Sequence, residues 1–144
     1  MKKARNIFHV ISYLQYPLMA AALYFAIQPY LTGFEDVLES INIMLIFMGV
    51  AISFSTLQDT TKTQNKLSLK VYQNPKAARV FLIYLLVIIV VFMGAGFVGL
   101  LGQEDSKLRE ISIGLIVLSI GMLGMLKAAV EMAEYHGAKR ENLS

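Results

Sequence analysis

The polar side chains that could carry chemistry in this chain stand in two long apolar stretches. Gln15 lies two residues before Pro17 in the first stretch, and Ser53, Thr56 and Asp59 close the second. Proline lacks an N–H and clashes with the carbonyl four residues before it, so Pro17 predicts a kinked helix beside Gln15. Broken helices with nearby amides, hydroxyls or a carboxylate form cation and proton paths in many transporters. We favour a structural interpretation, a kinked span and an interfacial acid neutralised by lysines.

A second group of charged side chains lies near the C-terminus. Lys127, Glu131 and Glu134 follow the spacing i, i+4, i+7, which places all three on one face of a helix. That face could turn toward another helix or another subunit. We favour a solvated extension of the helix, with the Lys127 ammonium reaching toward the membrane interface.

Metal, haem and catalytic chemistry find little support in the sequence. The chain has no cysteine, which excludes thiolate nucleophiles and Cys-ligated metals, and its two histidines, His9 and His136, are a weak signal for a shared metal or haem. The G-x-G-x-x-G at 94–99 follows no predicted strand, so we interpret it as helix packing. No H-E-x-x-H, nucleophile elbow or P-loop occurs. We therefore predict no enzymatic activity, no cofactor and no metal.

Four charge-free windows must supply the elements that position these groups. The composition is 56% hydrophobic and only 16% charged, with a mean hydropathy of +0.59, which is far more apolar than a soluble domain. A helix needs about 20 mostly apolar residues to cross a membrane, and each window provides that length or nearly so. The sequence predicts an all-α, polytopic membrane protein with one domain over 1–144. Its four predicted transmembrane helices span about 8–31, 40–58, 79–101 and 110–130.

The distribution of lysine and arginine predicts the topology. If the four spans alternate, Lys107 and Arg109 fall on one side and the other eleven of the 13 basic residues on the opposite side. Basic residues in short loops stay cytoplasmic. We therefore predict an antiparallel bundle in a bacterial-type inner (plasma) membrane, with the N and C termini and the 59–78 loop cytoplasmic. The positive charge follows topology rather than an aromatic and basic surface, so no nucleic-acid partner is expected.

The N-terminal stretch also has features of a secretory signal peptide. It has a basic start, an apolar run and small residues at 20–22. However, Gln15 and Pro17 interrupt that run, and the apolar residues continue through Ile27. We favour a retained first span.

Small residues recur at helical spacing along the third and fourth predicted helices. Such residues let membrane helices approach closely, where no hydrophobic force acts between them. Because the connection between these helices is short, we predict that their small faces pack together; self-association through either stripe is the alternative. The candidate packing residues are Ala95, Gly99 and Gly102 on the third helix, and Gly114, Gly121, Gly124 and Ala128 on the fourth.

These observations predict a small integral membrane protein that acts by packing. Its surroundings are the lipid bilayer, and its predicted partner is another membrane protein or a second copy of itself. The alternative is a small oligomeric channel or transporter. Its polar path would run beside the kinked first helix and the cytoplasmic end of the second.

Overall fold

The computed structural model describes residues 7, 8, 10–34, 36–57, 74–102 and 107–141, with side chains up to residue 135. Over these residues the chain forms helices and turns without any strand. The helices are α1 (Gln15–Thr32), α2 (Val37–Ser55), α3 (Pro75–Leu101) and α4 (Lys107–Glu141). All four are long and apolar enough to cross a membrane, with α1 counted from Val10. The prediction of an all-helical chain with four such helices is confirmed.

The start of α1 is shaped by Pro17. The chain is helical just before Tyr13, but at Tyr13 and Leu14 the amides donate to carbonyls three residues back, at 3.1 and 3.0 Å. The Tyr13 carbonyl, which Pro17 cannot bond, accepts the amide of Tyr16 at 3.1 Å instead. Pro17 therefore lies in the first turn of α1, where its missing N–H leaves no intrahelical hydrogen bond unmade.

Local signals also set the other helix ends. Gly33 ends α1 in a left-handed conformation, with φ of 76°, and its amide donates to the Pro29 carbonyl. The chain then reverses into α2. At the start of α3, the Asn74 side chain accepts the amides of Lys76 and Ala77, at 3.1 and 3.5 Å, and Pro75 is the first helical residue.

The helices pack in an open row. Helix α1 packs on α2, α2 on α4 and α4 on α3, and the other pairs of described helices have little or no contact. The row order along the molecule is therefore α1–α2–α4–α3. Both α1 and α3 lie at the ends of this row, so each has one helical neighbour, and α4 buries the largest share of its span.

The direction of each helix follows from its contacts. Along the α2–α4 interface Asn42 meets Gly114 and Thr56 meets Gly124, so these two helices run parallel. Along the α3–α4 interface Gly99 meets Leu108, and Gly96 meets Ile116, so those two run in opposite directions. The predicted cytoplasmic location of both termini is not tested by these contacts and stays a prediction.

Two names are useful for the ends of the molecule. The turn end contains Gly33, Gly102 and the start of α4 at Lys107. The loop end contains the start of α1 at Gln15, the end of α2, the start of α3 and the part of α4 beyond Lys127. The 59–73 part of the predicted cytoplasmic loop lies outside the described residues.

The main apolar cluster lies between α3 and α4. Leu85 and Ile89 of α3 pack with Leu118 and Met122 of α4, and all four side chains are buried. The cluster continues past the level of Lys127, because the buried Ala129 belongs to it as well. Helix α4 is 35 residues long, about 52 Å at 1.5 Å per residue, so it extends well beyond the thickness of a hydrocarbon core.

Candidate functional site

Helices α2 and α4 approach closely where Gly49 meets Gly121. A methyl group added at Gly49 would lie 2.6 Å from the Val117 carbonyl oxygen and 2.7 Å from the Leu118 Cα. A methyl group added at Gly121 would overlap the Gly49 carbonyl oxygen. Only hydrogen fits at both positions, so this pair of glycines sets the distance between α2 and α4.

A hydrogen bond between the helices fixes the same interface nearer the turn end. The Asn42 Oδ1 accepts the backbone amide of Gly114, at 2.7 Å, across the α2–α4 contact. A methyl group added at Gly114 would lie 2.7 Å from the Asn42 carbonyl oxygen, so the glycine is needed for the approach. The bond satisfies a half-buried polar side chain and, through its geometry, specifies the register of the two helices.

The α3–α4 interface uses glycines on one helix and serines on the other. Gly96 and Gly99 of α3 are buried against Ser112 of α4, and Ser112 and Ser119 are fully buried. Each serine hydroxyl donates to the carbonyl four residues back in its own helix, at 2.6 and 2.7 Å. These serines thus act as small residues whose polarity is satisfied within α4.

The predicted packing residues therefore meet different partners from those expected. Gly114, Gly121 and Gly124 lie against α2, whereas the predicted contact was the small face of α3. Helix α4 has two packed faces, with glycines toward α2 and serines toward α3. On α3, Gly99 is in contact, Ala95 is half-buried and Gly102 is exposed at the helix end; Ala128 of α4 is half-buried.

The residues of the predicted polar path are not brought together. The Ser53 hydroxyl donates to the Gly49 carbonyl and the Thr56 hydroxyl to the Ser53 carbonyl, at 3.0 and 2.7 Å. Thr56 lies against α4, on the opposite side of α2 from α1. Gln15 is buried on α1, and Pro17 is exposed in its first turn. Asp59 lies outside the described residues.

The predicted charged face of α4 is exposed. The Lys127 Nζ lies 3.6 Å from the Glu131 Oε1, and the two side chains are 80% and 46% exposed. Glu134 is exposed one turn further along. No group of three metal-ligating side chains occurs among the described residues. His9 and the His136 side chain lie outside them, so the prediction of no metal and no haem stays a prediction.

Tyr24 is a functional candidate that the sequence analysis missed. Its side chain is 61% exposed and lies about 200° around α1 from the buried Ala22, on the side facing away from α2. Its ring contacts Phe25 edge-on, with centroids 5.4 Å apart, whereas Phe25 itself stacks on Phe47 of α2. Within the described part of the chain, no hydrogen bond to the Tyr24 hydroxyl is formed.

The depth of Tyr24 makes this exposure unusual. It lies nine residues after Gln15 and eight before Thr32, roughly 12–13 Å from either end of α1. A tyrosine side chain is too short to carry its hydroxyl over that distance. Four residues on, the Gln28 Oε1 is buried without a hydrogen-bond partner in the described structure. A tyrosine in the middle of a charge-free window was visible in the sequence, but the face on which it lies was not.

Comparison with models of known protein families, with curated proteins and with solved structures found no match.

Proposed function

We propose that the chain is a helix-packing subunit of an assembly in the inner (plasma) membrane. The outward face of α1, centred on Ala20 and Tyr24, packs on a helix of another transmembrane polypeptide, in the simplest case a second copy of this chain. The four helices alternate in direction, with both termini cytoplasmic. This orientation rests on the eleven of 13 basic residues that it assigns to the cytoplasmic side. The proposal assigns no catalytic step to the chain.

The observation that carries the proposal is the exposed Tyr24 hydroxyl at the middle of a span. A hydroxyl left in hydrocarbon without a hydrogen-bond partner costs on the order of 4 kcal/mol or more relative to water. A carbonyl or side-chain acceptor on a neighbouring helix would remove that cost. Lipid tails offer no acceptor, so the position of Tyr24 favours protein on that side of α1 rather than lipid.

Two further features of α1 support the same face. Ala20 lies one helical turn before Tyr24, is exposed, and would allow another helix to approach closely. Helix α1 lies at the end of the row, so its side opposite α2 is not covered by another described helix.

A transport role has less support. The hydroxyls that could line a path at the loop end of α2 donate to carbonyls of their own helix. Thr56 and Gln15 also lie on different sides of α2, since Thr56 contacts α4 and α1 packs on the opposite face. A path through the α1–α2 contact would therefore lack these hydroxyls.

The test is the effect of Tyr24→Phe on association. The wild-type protein should purify in mild detergent as an oligomer or with one membrane protein bound. Losing one interhelical hydrogen bond should weaken that association about three- to twentyfold. Energy transfer between labelled copies at increasing lipid dilution measures self-association. Quantified co-purification measures a second protein.

Tyr30→Phe is the matched control. Tyr30 is 73% exposed on the same helix, two residues before its end, where the hydroxyl can reach water. This variant should associate like the wild type. A wild-type protein that is monomeric and carries no other polypeptide would refute the proposal, as would equal association of the Tyr24→Phe variant and the wild type.

A further inference from the structure

A shallow depression lies on α3 at the loop end, on the side away from α4. Its volume is about 520 Å³, and its walls are formed by Lys76, Ala77, Val80, Phe81 and Tyr84. Val80 and Tyr84 are 68% and 62% exposed. Apart from the Lys76 ammonium and the Tyr84 hydroxyl, the described side chains that line it are apolar.

The depression runs parallel to the axis of α3, along a row of side chains on one face of the helix. Lys76, Val80 and Tyr84 are spaced four residues apart, so they form one ridge about 12 Å long. The cation stands at the start of α3, and the apolar side chains continue from it into the charge-free span. A helical side chain points back toward the N-terminus of its helix, and Tyr84 lies only five residues, about 7.5 Å, past the charged Arg79. The Tyr84 hydroxyl therefore reaches the headgroup level, unlike the hydroxyl of Tyr24.

The charge at the top of the depression is uncompensated in the described structure. Lys76 lies in the first turn of α3 and Arg79 directly after it, both are exposed, and the first turn contains no acidic residue. Neither forms an ion pair with a described residue. The amides of Lys76 and Ala77 are already bonded to the Asn74 side chain, so attraction for an anion resides in the two cationic side chains.

We propose that this depression binds an anionic phospholipid. The headgroup phosphate contacts Lys76 and Arg79, and one acyl chain lies along Val80 and Tyr84. An anionic headgroup complements the two cations, and the apolar ridge complements an acyl chain at the depth where one begins. The inference requires that α3 cross the bilayer, but it is independent of the α1 surface and of any protein partner.

The experiment measures lipid binding by the delipidated full chain in detergent. Phosphatidylglycerol is titrated against phosphatidylcholine of the same acyl length, with bound lipid counted by native mass spectrometry. Phosphatidylglycerol should bind more tightly. Lys76→Gln and Arg79→Gln should each weaken it on the order of fivefold, and should leave phosphatidylcholine binding unchanged.

Lys127→Gln is the charge-matched control. Lys127 is an exposed lysine at the same end of the molecule, but it lies on α4 and outside the depression. Its loss should change phosphatidylglycerol binding by less than twofold. An equal loss for Lys127→Gln and Lys76→Gln would overturn the proposal in favour of diffuse electrostatic attraction.

A second pair of variants tests the acyl site with all charges in place. Val80→Trp fills the depression and should weaken phosphatidylglycerol binding severalfold. Val90→Trp changes an equally exposed position on α3, 61% exposed and outside the depression, and should have no effect. Equal behaviour of these variants would overturn the acyl site. Displacement of the lipid by soluble glycerol phosphate at equal concentration would show a free-anion site, which also contradicts the proposal.

Discussion

Close packing at Gly121 exemplifies what single residues contribute to this molecule. Its hydrogen atoms face the Gly49 backbone, where a methyl group has no space. Gly94, on α3, is the opposite case, since a methyl group added there would meet nothing within 4 Å. Gly121 is one of the packing residues predicted from the sequence and Gly94 is not, and the structure shows what a side chain at each position would meet.

This difference predicts opposite effects of the same substitution. Gly121→Ala should destabilise the protein by about 1–3 kcal/mol, because the added methyl group must push α2 and α4 apart. Gly94→Ala should be neutral or stabilise by up to about 1 kcal/mol, since alanine favours the helical backbone. Unfolding in detergent titrated with SDS, followed by circular dichroism, measures both variants. Equal stability of the two would contradict the close contact.

The sequence predicted which residues are small enough to pack, but not which helix each one meets. The heptad spacing of Gly114 and Gly121 gives them one face of α4, and the structure places that face on α2. The contact with α3 depends on Ser112 and Ser119, whose side chains are polar in isolation and become inert once bonded to their own backbone. Such self-bonding depends on helix geometry rather than on spacing, which is why these serines escaped notice.

At the scale of helices, the sequence predicted how long each helix is and where it begins or ends, but not the order in which the helices pack. The four charge-free windows predicted four long apolar helices, and Asn74 with Pro75 marked the start of α3. Helix α3, however, is apolar on nearly every side, and exposed residues such as Val80, Val90 and Val98 resemble the buried ones in type. Where every face is apolar, no periodicity indicates which face turns toward a neighbour.

The open row makes a prediction about which helices can be cross-linked. The chain has no cysteine, so introduced pairs are the only thiols. A Cβ at Gly124 would lie 3.6 Å from the Thr56 Cβ, a separation that a disulfide allows, so Thr56→Cys with Gly124→Cys should form a disulfide on mild oxidation. The cross-linked chain should migrate faster than the reduced chain on a denaturing gel, and reductant should abolish the difference.

The control pair joins the two ends of the row. Ala22→Cys on α1 and Leu85→Cys on α3 are both buried in their own contacts, on helices that have little or no contact with each other. This pair should not cross-link within one chain. Efficient cross-linking of α1 to α3 would show that the helices close into a ring.

At the scale of the whole molecule, the contacts define two ends. The parallel α2 and α4 and the opposed α3 and α4 place the start of α3, the end of α2 and the C-terminal part of α4 at the loop end. This arrangement gathers Lys76, Arg79 and Lys127 at one end, as the distribution of basic residues in the sequence suggested. Which compartment that end faces depends on the membrane and not on internal contacts, so the sequence charge bias remains the argument for it.

Single cysteines at the two ends of the span of α4 test the orientation. Lys107→Cys lies at the turn end and Tyr135→Cys at the loop end, about 42 Å apart along the helix. In intact cells a membrane-impermeant maleimide should label Lys107→Cys alone, and Tyr135→Cys should react only after permeabilisation. The reverse pattern would invert the proposed topology, and labelling of both from outside would show that α4 does not cross.

Because the helices pack in a single row, an unusually large share of their side chains is exposed on the outer surface of the protein. Most side chains of α1 and α3 are not buried by other helices, so in a bilayer their immediate solvent would be acyl chains rather than a protein interior. Its thermal stability should therefore follow the length and fluidity of the surrounding lipid as strongly as it follows substitutions at buried positions. For such an open row of helices, the lipid composition of the bilayer should determine the folded state as much as the amino-acid sequence does.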